Sequence, residues 1–525
     1  MRSFGPAMIA ILLAGLLAVQ AYITIKPAFH VAAVSCAGIA IYLFSLRRPV
    51  ARTMAFRVLV TAIGMPMFAW WLPSIWALYA IMLLWVPLVA GRITFVVPLY
   101  LYGLLLLPGL DSTVALASVK LLDFSVHDAL GLGAAYAVFQ NTGKAKPRPS
   151  LDMPAVAVML MLAAALSRNT SITNFLRVTI NVVFDLGLPY YIVSRGIRTM
   201  EELRMALVWL GCGAATLAAI LCYETWKSWP IYNQLYDLYH LPTLLLVKAR
   251  AGYLRAGGPF VEPTSIAMVM ATCILALSLS RDYFRSNSRY ALVFALVLIG
   301  MAAPQSRGAW IGLSIAIALS LAFQGRYARL LQAGSAIGVT GALLFLLARV
   351  SPGVSETLGL SGGASASATY RHLLFDRGME EFLRSPIVGY SMPEITARLS
   401  DIRQGEGIVD FVNTYIWLLL ISGVVGTALF LGTFLYFMLQ ALKYRRPVAD
   451  LPGNVAAAAF VFVGLAMPME MLFFTSFGGR PAFFIFVLFG FAVALANIRE
   501  GRRRAMSRAA PAMLGALTPA SLPAR

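Results

Sequence analysis

The chain has 525 residues, 60% of them hydrophobic and only 12% charged, with a mean hydropathy of +0.79. A soluble globular domain carries roughly 25% charged residues, so the composition excludes one and indicates a polytopic helical membrane protein. The formal net charge of +20 does not signify nucleic acid, because the basic residues fall in short clusters between apolar runs, as the positive-inside bias predicts.

In chain order, apolar runs lie at about 8–25, 29–45, 57–72, 75–90, 93–108, 113–139, 152–167, 172–193 and 204–222. They continue at about 263–280, 290–304, 309–323, 330–348, 415–440, 453–474 and 480–497. Each is enough or nearly enough to cross ~30 Å of hydrocarbon, which predicts an all-α fold of about 12–16 transmembrane helices. The ten-residue alternating strands of a membrane β-barrel are absent. The first run lacks an A-x-A site ahead of a soluble domain, so it reads as a helix rather than a cleaved signal. Basic clusters such as Arg47/Arg48/Arg52/Arg57, Arg195/Arg198/Arg204 and Arg281/Arg285/Arg289 alternate with the runs. Placing all of them in the cytoplasm puts both termini there. The four cysteines, Cys36, Cys212, Cys222 and Cys273, all sit in apolar runs without a C-x-x-C, so no disulfide framework or metal site is expected.

This gives three expected parts: N-terminal membrane helices over 1–150, a membrane core over 151–500 and a basic cytoplasmic tail over 501–525. Two extracytoplasmic loops of the core are long, about 223–262 and 349–414. In the first, Trp226, Trp229, Tyr232, Tyr236 and Tyr239 recur at three- and four-residue steps, the pattern of an amphipathic helix. Its aromatic face suits an interfacial belt or a platform for sugar rings. In the second, Tyr370, Leu373, Leu374, Phe382 and Leu383 predict an amphipathic helix on the membrane, ended near Pro386.

A second set of arginines stands outside the cytoplasmic clusters: Arg168, Arg177, Arg255, Arg307, Arg371, Arg377, Arg384 and Arg480. A charge in the membrane costs at least ~2.5–3.5 kcal/mol on insertion scales, so each must pair, reach an interface or meet a charged substrate. Arg177, Asn181 and Asp185 recur at four-residue steps and share a helix side; internal pairing and substrate contact explain them equally well. Glu470 reads as a packing or pairing group, with Arg480 beyond the next turn. Guanidinium groups match phosphate oxygens in pairs and stay charged when poorly hydrated. In RAGGPFVEPTS, Pro263 also suits a first helical position, where free backbone N–H groups attract anions. Together these features suggest binding, and departure, of a lipid diphosphate. A glycosyl transfer would then need a base; the candidates are Glu262, Glu406 and Asp410, with His372 weaker. The chain contains no D-x-D pair to hold a divalent metal, so arginine would take its place and no cofactor is expected.

Four motifs resemble a known family. RAGGPFVEP, SRGAWIGL, YRHLLFDRGMEEFLRSPIVGYS and FVNTYIWLLLISGVVG are similar to successive motifs of the bacterial O-antigen ligase/polymerase superfamily, over about residues 165–497. The resemblance implies metal-independent glycan transfer at the periplasmic face of the inner membrane. The donor would be an undecaprenyl-diphosphate-linked glycan, and the acceptor another lipid-linked repeat unit or lipid A-core. A flippase and a chain-length regulator would be natural partners. Arg255, Arg307 and Arg371 match family arginines, with an implied role in diphosphate binding or loop positioning; Arg177 is a fourth candidate for the diphosphate. The histidine that precedes asparagine in typical ligases is Val412 here, before Asn413, and Asp410 lies close by. That departure resembles exopolysaccharide polymerases more than ligases. A transporter of lipid-linked glycan is the remaining alternative, although no duplicated hydropathy pattern supports inverted repeats.

Overall fold

The computed structural model describes residues 5–116, 119–142, 149–241, 247–358, 360, 364–404, 408–447, 453–477 and 480–516. The first half comprises α1 (Gly5–Ser45), α2 (Arg48–Trp71), α3 (Ile75–Ala90), α4 (Val96–Gly103), a hairpin of β1 (Ser112–Leu116) and β2 (Val119–Phe124), α5 (Val126–Thr142), α6 (Pro149–Leu166), α7 (Ile172–Val182), α8 (Leu188–Gly196) and α9 (Met200–Lys227). Then come α10 (Asn233–Leu238), a small hairpin of β3 (Ala249–Arg250) and β4 (Tyr253–Leu254), α11 (Pro263–Leu279), α12 (Asn287–Ala302), α13 (Arg307–Phe323) and α14 (Tyr327–Val350). The chain continues through α15 (Pro352–Leu358), α16 (Ala364–Arg384), α17 (Met392–Arg398), α18 (Thr414–Lys443), α19 (Asn454–Met471) and α20 (Arg480–Ala516). Among the described residues, eight helices are long and apolar enough to cross a membrane, and six further apolar helices have 10–17 residues. The protein is a polytopic helical membrane protein.

Helix α9 lies at the centre, with α1, α4, α11 and α12 packed against it, while α20 packs against α8, α18 and α19. Small residues permit the closest approaches, as is usual where lipid gives no hydrophobic drive. Gly300 of α12 rests on the backbone of Ala218 in α9, and Gly133 of α5 on the Leu83 carbonyl of α3. The N-terminal helices are thus built into the core. Helix α14 is the opposite case, with none of its apolar span buried, as expected of a helix facing lipid.

Two expectations about the first 150 residues are corrected. The runs at 8–25 and 29–45 form one 41-residue helix through Pro27, about 60 Å long at 1.5 Å per residue. Residues 113–139 are not one span either. The stretch Ser112–Phe124 pairs as an antiparallel hairpin, its Lys120 and Asp123 ill suited to a lipid-facing helix. The helix starts only after Ser125, where Ser125 and Asp128 cap each other: Ser125 Oγ donates to Asp128 Oδ2 at 2.7 Å and Asp128 N to Ser125 Oγ at 3.1 Å.

The basic clusters gather on one face. Arg47 N donates to the Tyr283 carbonyl, Arg285 Nε to the Leu46 carbonyl at 2.6 Å, and Arg445 Nε to the Phe323 carbonyl at the end of α13 at 2.8 Å. The long loops meet on the opposite face. Helix α18 enters that face and breaks at Gly423, whose φ of 63° lies in the left-handed region. A break inside a membrane frees backbone groups that have no water to bind. The segment 386–390 supplies partners: Tyr390 N donates to the Leu420 carbonyl at 2.7 Å, and Val424 N to the Pro386 carbonyl at 2.8 Å. Arg168 closes the junction, donating to the carbonyls of Val388 (2.9 Å), Tyr390 (2.7 Å) and Ile421. A Cβ on Gly423 would collide with the Ile387 carbonyl, and one on Gly389 with the Leu420 carbonyl. Gly423→Ala and Gly389→Ala should therefore each destabilise the detergent-solubilised protein by about 1–3 kcal/mol in thermal unfolding. Gly432→Ala, on the same helix with no neighbour in reach, should leave the melting temperature unchanged.

Candidate functional site

The site is built where three connections converge on the long-loop face. The first is the loop from β4 into α11. Here Gly258 and Val261 both take left-handed conformations, with φ of 52° and 60°, and fold RAGGPFVE into a compact turn. Glu224, buried at the end of α9, fixes this turn by accepting from Gly258 N at 2.8 Å and from Ile231 N at 3.1 Å. The second is the turn Ala303–Ser306 between α12 and α13. The third is the segment from α15 to α18, in which Tyr370 of α16 ties down the irregular stretch before α18. Its hydroxyl donates to the Asp410 carbonyl and accepts from Asp410 N, both at 3.0 Å.

Four arginines project from these connections. Arg255 Nε donates to the Pro304 carbonyl at 3.1 Å, Arg250 to the Gln305 carbonyl at 2.9 Å and Arg307 to the Leu358 carbonyl at 3.0 Å. Arg371 lies 5.8 Å from the centre of the Phe474 ring, and its buried Nε has no hydrogen-bond partner among the described residues. None of the four forms an ion pair with a described carboxylate. They act on one another instead. Burial and then the Arg250 charge push the Arg255 guanidinium down to about 10, with Arg307 and Arg371 adding to the effect and Glu262 opposing it. Arg371 is lowered by burial and by Arg307, against the pull of Asp410. Arg250 is lowered by burial, Arg307 and Arg371, against the pull of Glu356. Such a group of mutually repelling, partly desolvated cations is complementary to a compact polyanion.

The other unexpected arginines have internal work. Arg377 pairs with Asp401 at 2.9 Å and with Glu380; Arg384 and Arg398 both bind Glu381, at 2.7 and 3.1 Å. Glu381 is only 3% exposed, so this network pins α16 and α17 together. Arg177 bonds Asn174 at 2.6 Å and lies 3.9 Å from Asp123 of β2, in a polar group distinct from the four arginines. Its ion-pair partner is thus Asp123 of the hairpin, which Asn181 also bonds at 3.2 Å. A π-helical turn at Val183–Gly187 separates α7 from α8 and carries Asp185 into the space that Asn181 and Asp123 line.

The candidate bases differ in their surroundings. Asp410 is partly buried and its charge acts on Arg371. Glu262 caps α11, accepting from Thr264 N at 3.2 Å, Ser265 N and the Thr264 hydroxyl at 2.6 Å. Burial alone would raise its pKa, but these bonds and the Lys248 charge lower it overall. Glu406 lies outside the described residues. His372 is exposed on α16. Asn413 caps α18 through Tyr415 N at 3.0 Å and Ile416 N at 3.3 Å, and Val412 is partly buried beside it. Glu470 approaches α13 at Gly312, and its Oε2 is buried without a hydrogen-bond partner among the described residues; the side chain of Arg480, its expected partner, lies outside them.

The aromatic residues of the first loop form neither a lipid belt nor a platform. Helix α10 is only six residues long, and Tyr232 and Tyr236 are buried, Tyr232 against Trp70. Only Trp226 of the five is well exposed. Sequence reading also missed Arg250, although it stands five residues before Arg255 in the same loop. The signal was the unusual density of cations in VKARAGYLRAGG.

Removing the α11 cap by Glu262→Ala should cost about 0.5–2 kcal/mol of stability in thermal unfolding at neutral pH. The folded state holds this carboxylate below its ordinary value of 4.5. Its contribution is therefore complete above that pH and is lost as pH falls through the lowered folded value. The difference between variant and parent should shrink in the same direction.

No curated protein matches the chain. Residues 292–431 match the sequence model of the O-antigen ligase family. The matched stretch holds Arg307, Arg371, Asp410 and the α18 break, and begins after the Arg255 loop. The match supports the O-antigen ligase/polymerase superfamily, whose members are of the glycan-transfer type and act on lipid-linked glycans.

Proposed function

We propose that this protein polymerises undecaprenyl-diphosphate-linked oligosaccharide repeat units at the periplasmic face of the bacterial inner membrane, building exopolysaccharide or O-antigen. The observation that carries the reading is the group of Arg255, Arg307, Arg371 and Arg250, four cations without a carboxylate partner among the described residues. A diphosphate seated there completes their hydrogen bonding. The acceptor hydroxyl attacks the anomeric carbon of the donor; a new C–O bond forms as the bond to the leaving phosphate oxygen breaks. Charge that grows on the diphosphate meets fixed guanidinium groups already in place. The proton of the acceptor hydroxyl passes to a carboxylate.

Asp410 suits that role best, because it stands beside Arg371 and at the base of the loop that Tyr370 anchors. Glu262 is the second choice, since its oxygens are engaged at the head of α11, and Glu406 the third. Arg177, engaged with Asn174 and Asp123, would contribute at most to the outer part of the site. Val412 in place of a histidine favours polymerase over ligase, because it removes the ligase base from its usual position.

Purified protein supplied with lipid-diphosphate-linked repeat units should yield a ladder of lengths. A single transfer to a lipid A-core acceptor would make it a ligase, and movement of unchanged glycan across the membrane would make it a transporter. Arg255→Ala, Arg307→Ala and Arg371→Ala should each lower kcat/KM by roughly 10- to 150-fold, equivalent to about 1.5–3 kcal/mol. Arg255→Lys should recover only part of the loss, because an ammonium cannot reproduce the paired contacts. Asp410→Asn should lower kcat with little change in KM; an unchanged rate would move the base to Glu262 or Glu406.

A further inference from the structure

A cavity of about 160 Å³ lies between the first hairpin, α5, the π-helical turn after α7 and the start of α20. A water-sized group needs roughly 10–15 Å³ of such space, so there is room for a ring-sized ligand. Its walls differ in character from those of the arginine site. Asp111, Asp123, Asp128 and Asp185 line it, with Asn181 and His127 and, among the described residues, no lysine or arginine; Arg177 stands beside Asp123, 3.9 Å away. The rings of Tyr100, Phe184 and Phe483 complete it.

Part of this polar wall is internally engaged. Asp128 holds Ser125, and Asn181 bonds the side chain of Asp123 at 3.2 Å. Tyr100 is different. It is 1% exposed, and its hydroxyl makes no hydrogen bond with any described residue, although Asp128 is near enough to act on it. A hydroxyl buried on a cavity wall without a partner costs free energy unless something in the cavity bonds it. The π-helical turn carries Asp185 into the same space, and such turns recur at functional positions.

Carboxylates and an amide to hold hydroxyls, with flat aromatic rings beside them, are the chemistry of sugar binding. Arg177 offsets one of the four carboxylates, and the acidic charge that remains repels anions. We infer that this cavity is a subsite for one sugar ring that is neutral or carries an amine, and that it rejects rings bearing a carboxylate or phosphate. The inference rests on the glycan-transfer reading for the origin of the ring. One contact relates the two sites: Phe483 in the cavity wall stacks on Phe260 of the arginine loop, with ring centres 6.1 Å apart and planes 17° from parallel. The cavity therefore lies one aromatic layer from the turn that bears Arg255, so a glycan could place its sugar here while its diphosphate meets the arginines.

The test is ligand-detected saturation-transfer NMR on the detergent-solubilised full chain with glucose, glucosamine and glucuronate as probes. Glucose or glucosamine should receive saturation and glucuronate should not. Asp185→Asn should weaken the signal-derived affinity by ~10-fold or more, and Tyr100→Phe, which removes one oxygen and preserves the ring, by roughly 2- to 10-fold. Arg255→Ala should leave the sugar signal unchanged while abolishing most glycan transfer, which separates the two sites. Equal transfer to glucuronate, absence of transfer to all three probes, or signals unaffected by both Asp185→Asn and Tyr100→Phe would overturn the inference. Sugar binding that obeys these rules in a protein with no transferase activity would instead contradict the polymerase reading and leave the subsite standing.

Discussion

Backbone groups inside a membrane must find partners within the protein, and the break of α18 at Gly423 is where this constraint shapes the whole long-loop face. The freed carbonyls of Leu420 and Ile421 and the freed N–H of Val424 are met by segment 386–390 and by Arg168. That docking fixes the end of α16. The Glu381 network with Arg384 and Arg398 then holds α17 beside it, and Gly378 lets α16 lie close on Ile416. With α16 immobilised at its far end, Arg371 and Tyr370 at its near end are carried to the Arg255 loop and to Asp410. A defect in one transmembrane helix thus positions a site in another part of the chain.

Charge on this face divides into two kinds. Arg168, Arg177, Arg377, Arg384 and Arg398 bind carbonyls or carboxylates of the protein and hold segments in place. Arg250, Arg255, Arg307 and Arg371 each have at most a carbonyl as hydrogen-bond partner among the described residues, and the charges of Arg250, Arg307 and Arg371 all lower the proton affinity of Arg255. Holding four guanidinium groups together with no ion-paired carboxylate among the described residues opposes folding, and a bound polyanion would relieve it. Fixed arginines also need no reorganisation when charge develops on a leaving group.

Much of this was legible in the sequence, for identifiable reasons. Membrane helices are long and apolar, so most spans after residue 150 follow directly from hydropathy. Arg255, Arg307 and Arg371 stood out because cations at those positions need an explanation, and α16 because of its apolar spacing before Pro386. What failed was local. An apolar stretch such as 112–124 has the same hydropathy as a hairpin or a helix, and only Lys120 and Asp123 told against a span. Pro27 does not end α1, since neighbouring helices support a helix through it. Capping by Glu262 and Asn413 could be suspected from the residues that follow them, but their chemistry was equally compatible with a role at the site. Contacts between distant segments, such as Arg168 with Ile421, leave no local trace.

The central claim is that a lipid-linked diphosphate is held by Arg255, Arg307 and Arg371. A structure of the protein with an undecaprenyl-diphosphate-linked sugar would test it most directly. The account predicts phosphate oxygens within hydrogen-bonding distance, about 2.7–3.2 Å, of at least two of these guanidinium groups. A diphosphate bound with all three arginines out of reach, or on the face that carries Arg47, Arg285 and Arg445, would contradict it.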